Sequence, residues 1–191
     1  MSQELPSLCL SQLARGLQLL LLDVDGVLTD GGIILYGQDG EAKRFDVQDG
    51  MGINLARAAG VKVGIITARN SEVVQRRGIE LHLDEVIQGV SNKAEALQQL
   101  LLKYNFVASQ VAYIGDDIQD IPIMRQVGLP IAVQNARPLV KQFSRYVTST
   151  CGGNGAVREA VEWLLELRGE HQAVYESIIG QNVTTTSGKQ I

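Results

Sequence analysis

Short apolar runs alternate with longer amphipathic stretches along the chain, and the alternation predicts strands and helices in turn. Residues 17–24 read as the first buried strand, carrying four consecutive leucines, Leu19 to Leu22, into the polar turn Asp23-Val24-Asp25-Gly26. Residues 33–36 and 41–47 flank Gly37-Gln38-Asp39-Gly40, a β-hairpin signal with a glycine at each end of the turn. A helix over 52–59 ends at Gly60, since glycine accepts the left-handed backbone that closes a helix. A strand at 61–66 and a helix ending at Gly78 follow, then a strand at 86–88 and a helix from about Asn92 to Tyr104. The next pair is a strand at 111–114 and a short helix at 120–127, with Pro122 in its first turn. Strands at 131–133 and 146–147 and an apolar helix at 156–167, stopped near Gly169, complete the pattern.

This βα repetition predicts an α/β, Rossmann-like fold. Short strands with no polar side need cover on both faces, which a central, mostly parallel sheet flanked by helices provides. The hairpin is too small to be a domain and is expected to act as a flap, with no full cap domain. Residues 1–179 are expected to form a single domain, and 180–191, rich in Gly, Thr, Ser and Gln, a flexible tail.

Composition narrows the functional classes. Seventeen Lys and Arg against 21 Asp and Glu give a net charge of −4, which argues against a broad nucleic-acid-binding surface. The leucine run meets Asp23 far too soon to span a bilayer, so no membrane insertion is expected. Cys9 and Cys151 stand too far apart for a metal box, and reduced thiols in the cytoplasm are the simpler reading.

The candidate chemistry lies at strand ends, where an open α/β sheet presents its reactive groups. Asp23 is a candidate nucleophile and Asp25 a candidate proton donor. Two neighbouring carboxylates call for a cation, and Mg²⁺ favours oxygen ligands. Thr67 and Arg69 follow another strand, Lys93 sits at a helix start, and Asp116, Asp117 and Asp120 surround a third strand-to-helix turn. A metal and Lys93 offset negative charge while Thr67 and backbone amides hold oxygens, an arrangement suited to phosphoryl transfer. Helix capping is the competing role for Asp117 and Asp120. His82, His171 and Trp163 read as structural or surface residues.

Asp23-Val24-Asp25-Gly26-Val27-Leu28-Thr29, Thr67, Lys93 and Gly115-Asp116-Asp117-x-x-Asp120 resemble, in order, the four motifs of the haloacid dehalogenase-like phosphatases. The hairpin, the segment from Phe45 to Ile53, and Gly152-Gly153-Asn154-Gly155-Ala156-Val157-Arg158-Glu159 extend the resemblance to the 3-deoxy-D-manno-octulosonate 8-phosphate phosphatase family. The resemblance implies Asp23 as nucleophile and Asp25 as general acid, then base. It implies Mg²⁺ held by the Asp23 carboxylate, the Asp25 main-chain carbonyl and the Asp116 carboxylate, with Thr67 and Lys93 on the phosphoryl group. Asp117 would order the metal shell and Asp120 would orient Lys93 or a nearby loop.

The same resemblance places Asp46, Val47, Gln48, Asp49, Gly50 and the position of Asn54 near substrate, with Arg69, Arg77 and Lys93 as basic contacts for a small phosphorylated sugar acid. Asn54 and Asn154 stand where relatives commonly carry arginine, which leaves a related nine-carbon sugar acid 9-phosphate as an alternative substrate. A catalytically weak, regulatory phosphate-binding protein is the alternative of a different class. The lack of a cap domain leaves the mouth of the site open, and the resemblance implies a homotetramer in which neighbouring subunits close it.

Overall fold

Four leucines with no polar neighbour form β1, Leu19–Leu22, and every one of them is fully buried. In the computed structural model, which describes residues 9–38 and 40–186, this strand lies at the middle of a six-stranded parallel sheet. Its parallel neighbours are β4, Lys62–Ile66, and β6, Val111–Gly115. The sheet continues outward through β5, Glu85–Ile87, on one side and through β7, Leu129–Ala132, and β8, Tyr146–Val147, on the other. The order β5-β4-β1-β6-β7-β8 reverses direction between β1 and β6. The carboxyl ends of those two strands therefore flank the crevice in which such sheets bind ligands.

The helices are α1, Leu10–Arg15, α2, Val47–Ala58, α3, Glu72–Glu80, α4, Lys93–Tyr104, α5, Ile121–Met124, α6, Pro138–Gln142, α7, Ala156–Arg168, and α8, His171–Thr186. The expected α/β architecture is borne out, including the pairing of short strands with longer helices. Among the described residues, no helix is long and apolar enough to cross a membrane.

Several boundaries differ from the sequence expectations for identifiable reasons. The hairpin is a separate two-stranded sheet of β2, Ile34–Tyr36, and β3, Gly40–Ala42, so the strand expected over 41–47 stops early. Asp46 then accepts the Gln48 amide at 2.7 Å and starts α2 at Val47, five residues before the helix expected at Gly52. Gly52 lies within α2 because a Cβ there would stand 2.7 Å from the Arg158 Cα, so its absence lets α2 and α7 pack closely. At the other end, the backbone is helical through Thr186, where a tail was expected from 180. Val174 is buried, and Tyr175 bonds both Arg158 and Glu162 of α7. Once docked, a helix adds residues without a new nucleation cost, so polar composition alone does not end it. The remainder of the expected tail, 187–191, lies outside the described residues.

Candidate active site

The turn after β1 is held by its own backbone. The Val24 carbonyl accepts the amides of Val27, Leu28 and Thr29, and the buried Thr29 hydroxyl accepts the amides of Gly26 and Gly31 at 3.4 and 3.1 Å. Gly26 has a φ of +97°, and a Cβ there would lie 2.2 Å from Asp116 Oδ2, so only glycine lets the β1 and β6 turns approach this closely. Asn135 joins this turn to the 152–155 loop by donating to the Gly26 carbonyl at 3.1 Å and accepting the Gly152 amide at 2.6 Å.

A cleft of about 240 Å³ opens above these turns. Asp23 and Asp25 reach it from β1, Thr67 and Arg69 from β4, Lys93 from the first turn of α4, and Asp116, Asp117 and Asp120 from β6. Gln119 and Ala68 complete its lining. The three strand ends and the helix start that the sequence singled out thus converge on one space.

Lys93 is the electrostatic centre of the cleft. Its buried ammonium lies 2.8 Å from Asp23 Oδ1, 2.6 Å from Asp120 Oδ1 and 3.1 Å from the hydroxyl of fully buried Tyr113. Burial opposes this charge, but Asp23 and Asp120 outweigh it and hold the ammonium above the ordinary lysine value. Asp120 is saturated: Oδ1 meets Lys93 and Tyr113, while Oδ2 accepts the amides of Asp116 and Asp117 at 2.9 and 3.1 Å. Asp117 accepts the Ile118 amide and caps the short tight turn Ile118–Asp120.

The donor set fits a hard divalent cation. Carboxylate oxygens of Asp23, Asp116 and Asp120 lie within 4.8 Å of one another. Asp120 already has its partners, whereas Asp116 Oδ1 is buried with none. Burial, and then the charges of Asp23 and Asp120, push the Asp116 carboxyl up to about 8. Asp23 is likewise raised to about 6, by burial above all. Two carboxylates with a surplus of negative charge and a free inward oxygen match the oxygen preference of Mg²⁺.

Other expected substrate contacts lie elsewhere. Asp46 caps α2, and Asp49 is buried with its carboxylate on the amides of Gly155, Val157 and Arg158 at the start of α7. Val47, Gln48 and Asn54 are exposed and Gly50 is buried in α2, all outside the cleft lining. Arg77 pairs with Glu80 at 2.9 Å and lies over the Phe45 ring, in a separate hollow of about 240 Å³. Its position late in α3 carries it past the strand ends. The cation missing at Asn154 has a local counterpart: Arg44 donates to Asn154 Oδ1 at 2.9 Å and to the Gly153 carbonyl at 3.3 Å.

Sequence reasoning missed Tyr113, Glu41 and Lys43. Lys43 bonds Asp25 Oδ1, and Glu41 bonds Arg69 and Ser71. The available signal was alternation: Glu41 and Lys43 are two residues apart, and in extended chain such residues share a face. Tyr113 was hidden within an apolar strand.

The fold and this cleft define a haloacid dehalogenase-like hydrolase, and a family model of that description matches residues 80–159. The chain is 44% identical over 157 residues to the 3-deoxy-D-manno-octulosonate 8-phosphate phosphatase of Escherichia coli K12, covering 82% of this chain and 84% of the relative. A crystal structure of the phosphatase of the same name from Moraxella catarrhalis, in complex with magnesium ion, phosphate ion and KDO, superposes with a TM-score of 0.85 at 39% identity. That match covers 88% of this chain and 97% of the other. The cobalt-bound Haemophilus influenzae deoxy-D-mannose-octulosonate 8-phosphate phosphatase gives 0.81 at 34% identity, over 84% of this chain and 94% of that one. The chain belongs to the 3-deoxy-D-manno-octulosonate 8-phosphate phosphatase family.

Proposed function

We propose that this protein is a Mg²⁺-dependent phosphomonoesterase that hydrolyses 3-deoxy-D-manno-octulosonate 8-phosphate to the free sugar acid and inorganic phosphate. The observation that carries the chemistry is the Asp23 carboxylate, buried beside Lys93 at 2.8 Å and opening on a cleft where Asp116 keeps an unpartnered oxygen. The names of the relatives support the choice of substrate.

Asp23 has one oxygen on Lys93 and presents the other to phosphorus. As the Asp23 O–P bond forms, the P–O bond to the sugar breaks, and Asp25 gives its proton to the departing oxygen. Asp25 then takes a proton from the water that hydrolyses the aspartyl-phosphate. The Thr67 hydroxyl and the Lys93 ammonium hold phosphoryl oxygens throughout. Asp120 aims Lys93, and Asp117 orders the turn beside the metal site. The Asp23 and Asp116 carboxylates, with the Asp25 main-chain carbonyl, would hold Mg²⁺. Bound there, the ion supplies Lewis-acid charge that offsets repulsion between phosphate and nucleophile. Arg69, at the mouth, orients the sugar acid carboxylate through paired hydrogen bonds.

The hairpin supports assembly as a homotetramer. Ile33, Ile34, Leu35 and Tyr36 are exposed by 49, 55, 73 and 61%, a run of apolar side chains that a second copy would cover. Such packing would bring a neighbouring subunit to the mouth of the cleft. Free Cys9 and Cys151, both exposed, suit a reducing compartment such as the cytoplasm.

A substrate panel tests the reading. Magnesium-dependent phosphate release is expected, with the highest kcat/KM on the eight-carbon sugar acid 8-phosphate, and Asp23→Asn should abolish it in folded protein. A preference for a nine-carbon sugar acid 9-phosphate would reassign the substrate and keep the chemistry. Binding without turnover across the panel would overturn the enzyme reading in favour of a phosphate-binding protein.

A further inference from the structure

The flap touches the cleft through charge. Lys43, just beyond β3, buries its side chain completely (0% exposed) and bonds Asp25 Oδ1, with Glu41 Oε1 at 3.4 Å. Glu41 also accepts from Arg69 Nη2 at 3.3 Å and from the Ser71 hydroxyl, and Arg69 Nε returns to Asp25 Oδ2 at 3.9 Å. Asp25, Lys43, Glu41 and Arg69 thus form a closed ring of two negative and two positive groups. A lysine ammonium loses its hydration in such a place only where carboxylates replace it. The burial of Lys43 therefore depends on Asp25 and Glu41 remaining where they are.

We propose that Lys43 is a positioning residue that aims the Asp25 carboxyl at the leaving-group oxygen, an inference that rests on Asp25 being the general acid. A free aspartate samples several rotamers, and a buried partner on Oδ1 selects one. With Oδ1 occupied by Lys43, Oδ2 is the oxygen left to serve the leaving group, with Arg69 Nε 3.9 Å away. In the transfer step the Oδ2–H bond breaks as the P–O bond to the sugar breaks, and the departing electron pair takes the proton.

The test exploits the leaving group. A sugar alkoxide needs a proton to depart, whereas 4-nitrophenolate leaves without one. Lys43→Met keeps the buried stem and removes the ammonium. For kcat/KM, which reports the first transfer, the loss on the sugar acid phosphate is expected to exceed that on 4-nitrophenyl phosphate by about tenfold or more, within the range general acid catalysis contributes. The loss on the sugar ester should fall in kcat and in the single-turnover rate at saturating substrate. In an Asp25→Asn background, Lys43→Met should add little. Thermal melting checks the fold, and Lys43→Gln is read in the same way should the methionine variant unfold. Equal losses on both esters would make Lys43 a structural latch, and a loss confined to KM would make it a substrate contact. Either result overturns the positioning role while leaving the phosphatase reading intact. A wild-type protein that hydrolyses neither ester would overturn both.

Discussion

Asp120 and Lys93 meet at 2.6 Å in the lining of the cleft. The pair accounts for a lysine buried to 6% exposure in the first turn of a helix. Lys93 has three N–H groups: Asp120 and Tyr113 each accept one, and Asp23 Oδ1 stands 2.8 Å from the ammonium as an ion pair. An incoming phosphoryl oxygen must therefore compete with Asp23 for one of them, while Asp120 keeps the ammonium from turning away.

Asp120→Asn should lower kcat by about 10–100-fold, the usual effect of removing a partner that orients a site group. The substitution weakens the hold on Lys93 and replaces a carboxylate oxygen beside the Tyr113 hydroxyl. Folding should survive, because an amide keeps the size of the side chain and one acceptor oxygen. Steady-state kinetics with a thermal melt on the same sample checks the claim. Unchanged kcat in folded protein would leave Asp120 with backbone capping alone.

Magnesium removal should abolish turnover and also lower stability. Asp116 Oδ1 lies buried without a partner, so a cation there removes a repulsive and unsatisfied arrangement present only in the folded chain. Binding to the native state raises stability by RT ln(1 + [L]/Kd), about 2.7 kcal/mol at a hundredfold excess over Kd. Titrating EDTA-treated protein with MgCl₂ while following the melting temperature reads this out without a turnover assay. Asp116→Asn should melt higher than wild type in EDTA and gain less from MgCl₂. A metal response equal to wild type would remove Asp116 from the ligand set.

The succession of strands and helices along the chain and the acids at strand ends were legible because both follow from short-range patterns. Leu19 to Leu22 reads as a buried strand in any context, and a charged turn after it marks the reactive edge of the sheet. Other features depend on partners remote in sequence. The strand after α5 was expected at 131–133, yet β7 begins at Leu129 and takes in Pro130. Pro130 is tolerated there because its carbonyl accepts the Arg145 amide at 2.8 Å just before β8 begins, where the ladder does not need its missing amide. Asp49 was expected near substrate because the family resemblance placed the 46–50 segment there. Its three amide partners lie more than a hundred residues later, and periodicity carries no trace of such a contact. Lys43 is a similar case, since its value depends on how the flap folds back onto Asp25.

Gly152→Ala should destabilise severely, for steric reasons alone. A Cβ at this position would stand 1.8 Å from the Gly26 carbonyl oxygen and 2.9 Å from the Val27 Cα, both backbone atoms of the turn that carries Asp25. Neither can rotate away as a side chain would, so the two loops must separate. A cost of about 3 kcal/mol or more is expected, at the upper end for overpacking. Gly16→Ala serves as the control: its φ is −82°, and its nearest neighbours would be 3.6 Å away. Urea midpoints of the two variants should differ widely. Similar midpoints would mean that the 152–155 loop is not held against the β1 turn.

Glu159 gives the fold a pH-dependent clasp. Its carboxylate accepts the Ser149 and Thr150 amides at 2.6 and 3.0 Å, the Thr150 hydroxyl at 2.6 Å and the Tyr146 hydroxyl at 2.9 Å. Burial works to raise its pKa, but these donors outweigh it, the Thr150 hydroxyl foremost, and hold the carboxyl below the ordinary glutamate range. The sign follows from proton binding. Below the ordinary glutamate value the unfolded chain takes up a proton that the folded chain still refuses, so acid favours unfolding. The stabilisation from Glu159 is therefore complete above the ordinary value and fades as pH falls through the lower folded one. Glu159→Gln, which cannot accept all these bonds as an anion, should cost about 1–2 kcal/mol at pH 7. That difference should shrink steadily on acidification, because the wild-type protein then loses what the variant never had. Urea unfolding of both proteins across a pH series from neutral into the carboxylate range measures the gap directly. A gap that stays constant with pH would mean that Glu159 contributes through shape and packing, and that its charge has no part in joining β8 to α7.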